Sequence, residues 1–425
     1  MVDLTEQLDT SAIEQAYSGG GSAPYPPKMM LALLFYCYAK GIFSSRKIER
    51  ATYELIPVLF ITGGTHPDHD SINSFRKRFL TQMTALFVQL LQIAQGMDVL
   101  KLGDISLDGT KIKANASKHK AMSWDYACKL EAQLRSEVDE LIKRAATESG
   151  QGLQDINIPE ELKRREARLD KINGVKAELE RRAAERYARE QAEYEAKLKE
   201  REDKERERGR KLGGVKPQAP EAGPRAKDQV NFTDDESRIM PTAGGGFEQA
   251  YNAQASVDMA TMLIIGQHVS QNTNDKQEVA PALAVLAELP GALGHITRAA
   301  ADSGYFSQSN TQCFETAGIE PYMPTARQHH NPTLDERFPK ENEAAKADAV
   351  KDSTPVTAMA QRMKTEVGRK FYALRKSTVE PVFGIIKEVM GFRRFMLRGL
   401  ASVQGEWTLV CLAFNLKRLC VLNLA

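Results

Sequence analysis

Residues 25–97 set apolar runs between polar breaks in a helical rhythm. Pro26 and Pro27 open MMLALLFYCYAKG, which closes at Gly41, with proline near the start and glycine near the end as helix boundaries favour. Ser44 or Ser45 is placed to cap the next helix, RKIERATYEL, which stops before Pro57. Asp70 or Ser71 is placed to cap SINSFRKRFL, and a fourth apolar helix runs to about Gly96. From Val99 the pattern changes, and LKLGDISLDGTKIKANA alternates apolar and polar residues as a strand does.

Residues 123–212 return to helical spacing. Leu130, Leu134, Val138, Leu141 and Ala145 form one apolar stripe, SGQGLQDINIP breaks it, and Pro159 begins a long charged helix. The stripe thins toward the end of that helix, where opposite charges alternate as on a solvated face or a coiled-coil flank. A Gly/Pro-rich linker covers 213–227. FEQAYNAQASVD and MLIIGQHVS then read as paired strands turning near Met259–Thr261. Asp275 and Glu278 have the spacing of a capping box ahead of EVAPALAVLAEL. HITRAAADSG gives a short buried strand, a helix follows near Asn310–Ala317, and IEPYMPT gives another strand. This succession is α/β. Residues 326–366 are polar and weakly patterned, and helix resumes near Gly368.

Composition adds limits. A chain of 425 residues has room for two or three domains, and 42% hydrophobic residues suffice for a core. The net charge is +2, so binding to nucleic acid would have to come from local patches. The five cysteines form no C-x-x-C pair and suit buried thiols in a reducing compartment. The apolar stretch Met29–Tyr38 is too short to span a bilayer, and Asn415, Lys417 and Arg418 interrupt Trp407–Leu424. No membrane partner is expected, and the chain reads as cytoplasmic and nucleoid-associated.

Candidate chemistry begins with two aspartates. Asp108 sits inside one expected strand and Asp302 ends another. A carboxylate in a buried strand needs a partner, and a hard divalent ion supplies one. Two such ions about 3.5–4 Å apart can activate an attacking oxygen and stabilise a leaving oxygen at a phosphodiester. Either aspartate alone fits a strand end or a turn cap equally well. Downstream, Val379, Phe383, Ile386 and Met390 form a helical core stripe, with Glu380, Gly384, Lys387 and Gly391 on the adjacent one. Glu380 would add a third acid, Gly384 leaves room for DNA to approach, and Tyr372, Arg375 and Lys376 add an aromatic ring and two cations. On spacing alone, an ordinary Glu–Lys surface helix explains that segment better.

The segments ISLDGTKIKANAS, QAYNAQASVD, AADSGYFS and Tyr372 through Lys387 occur in the order seen in insertion-sequence DDE transposases. PPKMMLALLFYCYAKGIFSSRKIE and PDHDSINSFRKRFL resemble the helical domain that precedes the catalytic domain there. The resemblance covers most of 24–110 and 228–400. It implies a ribonuclease-H-like mixed sheet with Asp108, Asp302 and Glu380 as an acidic triad holding two Mg2+ (or Mn2+) ions. It also implies DNA as partner, both element ends and target, and a homo-oligomer in the active complex. Tyr372, a nearby cation and Lys387 match the tyrosine–arginine–glutamate–lysine signature around the third acid. Three residues usually separate that arginine from the glutamate. Here four follow Arg375, and Lys376 stands at the usual position, so either cation is a candidate for the role.

The resulting layout has 1–97 as an all-α DNA-binding domain, 98–122 with 228–400 as the catalytic domain, 123–212 as an inserted helical hairpin, and 401–425 as a C-terminal helix. The clusters Arg46, Lys47, Arg50 and Arg76, Lys77, Arg78 are the candidate phosphate contacts of the first domain, although a plain helical bundle fits them as well. The rival readings are a catalytically inactive transposase-derived DNA-binding protein and a scaffold built on the hairpin. A tyrosine recombinase box at His295–Arg298 lacks its context. The pairs His66/His69 and His329/His330 suit solvated loops better than a metal site, and the GGG at 244–246 suits a turn rather than a phosphate loop.

Overall fold

The computed structural model describes residues 1–17, 24–147, 158–211, 213–242, 245–326 and 355–422. His329, His330, Asp335 and Glu336 lie outside the described residues, as does Gly244. Two compact units divide the chain, Met1–Asn115 with Glu236–Ala425, and Ala116–Asp235.

In the first unit, short helices α1 (Val2–Glu6) and α2 (Ser11–Glu14) precede α3 (Pro27–Ala39), α4 (Ser45–Glu54), α5 (Ile56–Ile61), α6 (His69–Arg78) and α7 (Gln82–Gly96). The cap of α6 is Asp68, not Asp70 or Ser71: its Oδ1 accepts the N–H groups of both, each at 2.9 Å. This is the side-chain capping that a helix's free first-turn donors call for.

The sheet is mixed. Strand β1 (Leu102–Lys113) lies between β5 (Phe247–Asp258), antiparallel to it, and β7 (Gly294–Ala300), parallel to it. Outside β7 runs β8 (Glu320–Tyr322), also parallel. On the far side of β5, β4 (Arg238–Pro241) and β6 (Ile264–Ser270) each pair antiparallel with part of it. Helices α10 (Val279–Ala287) and α11 (Gln308–Thr316) lead into β7 and β8. The architecture is therefore α/β with a mixed sheet. Asp275 and Glu278 do not form a capping box. Asn274 caps the 3-10 turn Asp275–Gln277, while buried Glu278 accepts from Ser270 Oγ at 2.7 Å and Asn272 Nδ2 at 2.9 Å and meets His268 Nε2 at 2.8 Å.

The carboxyl-terminal part of the unit holds α12 (Pro355–Lys364), α13 (Glu366–Ala373), α14 (Val379–Gly384), a π turn at Ile385–Val389 and α15 (Leu400–Leu422). Gly368 lies within α13, where a Cβ would lie 2.1 Å from the Arg362 carbonyl oxygen, and Glu366 stands on that helix while Glu380 stands on the next. Helix α15 is buried on almost every side and packs on β6, α3 and α7. Its polar groups cover backbone that β6 leaves unpaired: Asn415 donates to Ile264 O at 2.7 Å and accepts from Ile264 N at 2.9 Å, and Gln404 accepts from Val269 N at 2.7 Å. Among the described residues no helix is long and apolar enough to cross a membrane.

The second unit holds α8 (Trp124–Thr147), α9 (Ile158–Arg208) and the antiparallel pair β2 (Ala121–Ser123) and β3 (Gln229–Asn231). Leu130 and Leu134 of α8 pack with Ile172, Val175 and Leu179 of α9. Glu131 pairs with Lys176 at 2.7 Å and Glu137 with Arg165 at 3.0 Å, so the two helices run antiparallel. The Gly/Pro-rich segment after α9 runs back along it, with Arg225 on Glu190 at 3.2 Å and Asp228 on Arg186 at 2.7 Å.

Candidate active site

Asp108 stands on the central strand β1, and Asp302 follows the end of its parallel neighbour β7. The register pairs Ser106 with Ala300, and Asp302, two residues past that pair, lies near enough for its charge to act on Asp108. Asp108 Oδ1 accepts from the N–H of Gly109 at 2.8 Å, while Oδ2 receives Arg375 Nη2 at 2.9 Å. Asp302 folds over its own turn, accepting from the N–H of Gly304. A Cβ on Gly304 would lie 2.7 Å from that carboxylate oxygen, so a side chain there would push the Asp302 carboxylate aside.

Arg375 comes from the 3-10 turn Leu374–Ser377 between α13 and α14. It is 5% exposed, donates from Nη1 to Tyr372 Oη at 3.2 Å, and lies 5.6 Å over the Tyr372 ring. Its Nε has no hydrogen-bond partner among the described residues. Lys376 is exposed. Of the two cations open at the sequence level, Arg375 is thus the one at Asp108. Lys387, in the π turn, donates to Thr110 Oγ1, two residues along β1 from Asp108.

The electrostatics follow from burial. Burial pushes the Asp108 carboxyl up to about 6, and the charges of Asp302 and Asp275 add to that; Arg375 and the Gly109 N–H pull the other way. Burial is the largest influence on Arg375 and penalises its charge, but Asp108, Tyr372 and Asp302 together outweigh it and the net shift is upward. Burial lowers the Lys387 pKa and raises that of Tyr372.

Glu380 occupies the first turn of α14, which packs on β1 and β5, and its side chain is exposed. Among the described residues no group of three or more His, Cys, Asp or Glu side chains stands close enough to hold a metal ion, so Glu380 does not complete a cluster with Asp108 and Asp302. The two aspartates still suit a hard divalent cation chemically. Their donors are carboxylate oxygens, the ligands such a cation prefers.

The basic clusters of the helical segment divide. Arg46, Lys47, Lys77 and Arg78 are exposed, and exposed Arg50 pairs with Glu54 at 2.6 Å. Arg78 also lies 5.1 Å over the Tyr17 ring. Arg76 departs from expectation: it is 4% exposed, and its guanidinium donates inward to Tyr38 Oη at 2.8 Å, Phe43 O at 3.0 Å and Asn73 Oδ1 at 2.9 Å. Tyr38 in turn donates to Glu406 Oε1 at 3.2 Å. Arg76 therefore anchors the interior and cannot serve as a phosphate contact.

A second polar cluster had no place in the sequence reading. Asp275 Oδ1 accepts from Lys111 Nζ at 3.0 Å, Asn252 Nδ2 at 2.7 Å and Gln254 Nε2 at 3.0 Å, and Tyr305 donates to Gln254 Oε1. Its signal was present in QAYNAQASVD, where Asn252, Gln254 and Ser256 place polar groups at alternate positions of a buried strand.

Residues 336–420 match a transposase DDE domain, and residues 1–78 match the transposase domain DUF772. These matches, at opposite ends of the chain, support an insertion-sequence DDE transposase. They indicate a function in transposition, with DNA as partner. No curated protein and no solved structure gives a significant match.

Proposed function

We propose that the chain is a DDE transposase that cleaves DNA at the ends of its element and transfers the cut strand into target DNA. The observation that carries this reading is Asp108 on β1, held by Arg375, with Asp302 just past the end of the parallel strand β7, in a chain with transposase matches at both ends. The strand order β6-β5-β1-β7-β8, antiparallel on one side of β1 and parallel on the other, supports a ribonuclease-H-like core.

In this reading Asp108 and Asp302 hold divalent cations, Mg2+ or Mn2+, with Glu380 as the third acid from α14. When bound, such ions activate the attacking oxygen and offset charge on the leaving oxygen of a phosphodiester. The protein's own groups do the rest. Arg375, buried and bonded to Asp108 and Tyr372, orients Asp108, while half-buried Lys387 and the Tyr372 hydroxyl offer donors for phosphate oxygens. Exposed Arg46, Lys47, Arg50, Lys77 and Arg78 supply end binding from the helical segment 1–97. Residues 98–122 with 228–400 form the catalytic part, 123–212 is an inserted hairpin, and the active complex is a homo-oligomer.

Oligonucleotides carrying an element end test this directly. With Mg2+ the wild-type protein should nick and join them, and a chelator should abolish both steps. Asp108→Ala and Asp302→Ala should bind the same ends and cut neither. Wild-type cleavage by either variant would remove that residue from the site. Binding without metal-dependent cleavage by the wild-type protein would favour an inactive transposase-derived DNA-binding protein.

A further inference from the structure

Asp302 lies beyond the last paired residue of β7, where the ladder no longer fixes the backbone; the final contacts are Ala300 opposite Tyr322 and Ala301 N–H to Tyr322 O at 3.2 Å. Something else must set its place relative to Asp108. Tyr305, three residues on, is 1% exposed, and its N–H closes the turn on Asp302 O at 3.2 Å. Its hydroxyl passes inward and donates to Gln254 Oε1. Burial among the Asp108, Asp275 and Asp302 charges raises the Tyr305 pKa, so the hydroxyl remains a donor.

Gln254 faces Gly109 across the β1–β5 ladder and is itself 3% exposed. A Cβ on Gly109 would lie 2.0 Å from Gln254 Nε2, so the amide rests directly on the backbone whose N–H holds Asp108. That amide cannot rotate away without loss, because its Nε2 also donates to Asn252 Oδ1 at 2.9 Å and Asp275 Oδ1 at 3.0 Å. One side chain thus touches the strand of Asp108 and, through Tyr305, the turn of Asp302.

We infer that Tyr305 and Gln254 are positioning residues, whose hydrogen bond sets the separation of Asp108 and Asp302 and thereby the capacity of that pair to bind a divalent cation. The inference rests on the proposed reading of the two aspartates as metal-holding groups. A purely structural bond would stabilise the fold without affecting metal binding. The two roles therefore predict different measurements.

The test is Mn2+ binding to the full-length, DNA-free protein, followed by the spin-resonance signal of free Mn2+, with thermal unfolding in chelator as the check on folding. Tyr305→Phe deletes one hydroxyl and keeps the ring. It should unfold within a few degrees of wild type and bind Mn2+ about 10- to 100-fold more weakly, the range found when groups that orient metal ligands are removed. Gln254→Met breaks the same link from the other side, and the double variant should lose little more than either single one, as expected for two groups acting through one bond. Wild-type Mn2+ affinity in Tyr305→Phe, or additive losses in the double variant, would overturn the inference. Should Gln254→Met fail to fold, Tyr305→Phe alone decides. Asp108→Asn and Asp302→Asn keep the two levels apart. If both abolish Mn2+ binding and Tyr305→Phe does not weaken it, the positioning role falls and the metal site stands; if both bind Mn2+ as wild type does, the two fall together.

Discussion

Arg375 donates to Asp108 at 2.9 Å across 267 positions of sequence, from a side chain that is 7% exposed. The planar guanidinium reaches Asp108 and the Tyr372 hydroxyl at once, which a lysine ammonium on a flexible stem does not reproduce. Arg375→Lys should therefore lower end cleavage by about 10- to 100-fold, the usual loss when a group that orients a metal ligand is removed. Binding of end DNA should change little. Lys376→Ala should cleave nearly as well as wild type, and the reverse pattern would reassign the signature arginine to Lys376.

Protonation of Asp108 gives a stability signature in metal-free protein. Its folded pKa of about 6 stands above the ordinary value of 3.8, so the folded state binds the proton more tightly than the unfolded state. The shift therefore costs nothing below pH 3.8, and the cost grows as pH rises to about 6 and is complete above it, reaching on the order of 3 kcal/mol. In chelator, wild-type stability relative to Asp108→Asn should fall over that window. Parallel pH profiles for the two proteins would contradict the raised pKa.

Buried and exposed members of the basic clusters should behave in opposite ways. Arg76→Ala leaves Tyr38 and Glu406 in the interior without their cation, and breaking such a buried pair costs about 3–5 kcal/mol. Replacing exposed Arg46 and Lys47 with alanine should hardly move the melting temperature. It should weaken end binding and flatten its salt dependence by about one unit of slope per lost phosphate contact. Full stability in Arg76→Ala would contradict its anchoring role.

Among the acids downstream of Asp302, Glu380 should be the one cleavage depends on. Glu366 is exposed and paired with Lys370 at 2.7 Å, and Glu388 is exposed and paired with Arg393. Glu380→Gln should cost several orders of magnitude in cleavage with little change in melting temperature. Normal cleavage by Glu380→Gln, beside an inactive Glu366→Gln or Glu388→Gln, would identify a different third acid.

Residues 124–228 should be dispensable for folding of the rest of the chain. Ser123 and Gln229 are direct partners in the β2–β3 pair, so a short Gly/Ser turn can close that pair. Circular dichroism and thermal unfolding of the shortened protein should show one cooperative transition near that of unit 1 in the parent chain. An unfolded product would show that unit 1 depends on this stretch.

Which parts of this were legible in the sequence depended on local pattern. Strands β1, β5 and β7 follow from period-two alternation or short buried runs, and Asp108 and Asp302 stand out because carboxylates are costly there. The choice between Arg375 and Lys376 was hidden because counting assumes one continuous helix. In the structure a 3-10 turn at Leu374–Ser377 and Thr378, at φ −120 and ψ −88, separate α13 from α14 and absorb the extra residue. Arg76 was hidden for another reason. Its partners Tyr38 and Glu406 lie far away in sequence, and a run of three cations does not tell which one turns inward. The Asp275–Gln254–Tyr305 cluster likewise joins three separate segments, and the polar alternation of Asn252, Gln254 and Ser256 marks one of them without naming its partners.

The direct pairing of Ser123 with Gln229 has a consequence for descent. A stretch whose first and last residues already face each other can be gained or lost in a single genetic event without shifting the alignment of any strand outside it. Related chains can therefore differ in length between Asp108 and Asp302 by the whole of this stretch with the sheet unchanged. Spacing between the first two acids is thus a poor criterion for recognising kin of this protein, and the segments on either side of the stretch are the ones to compare.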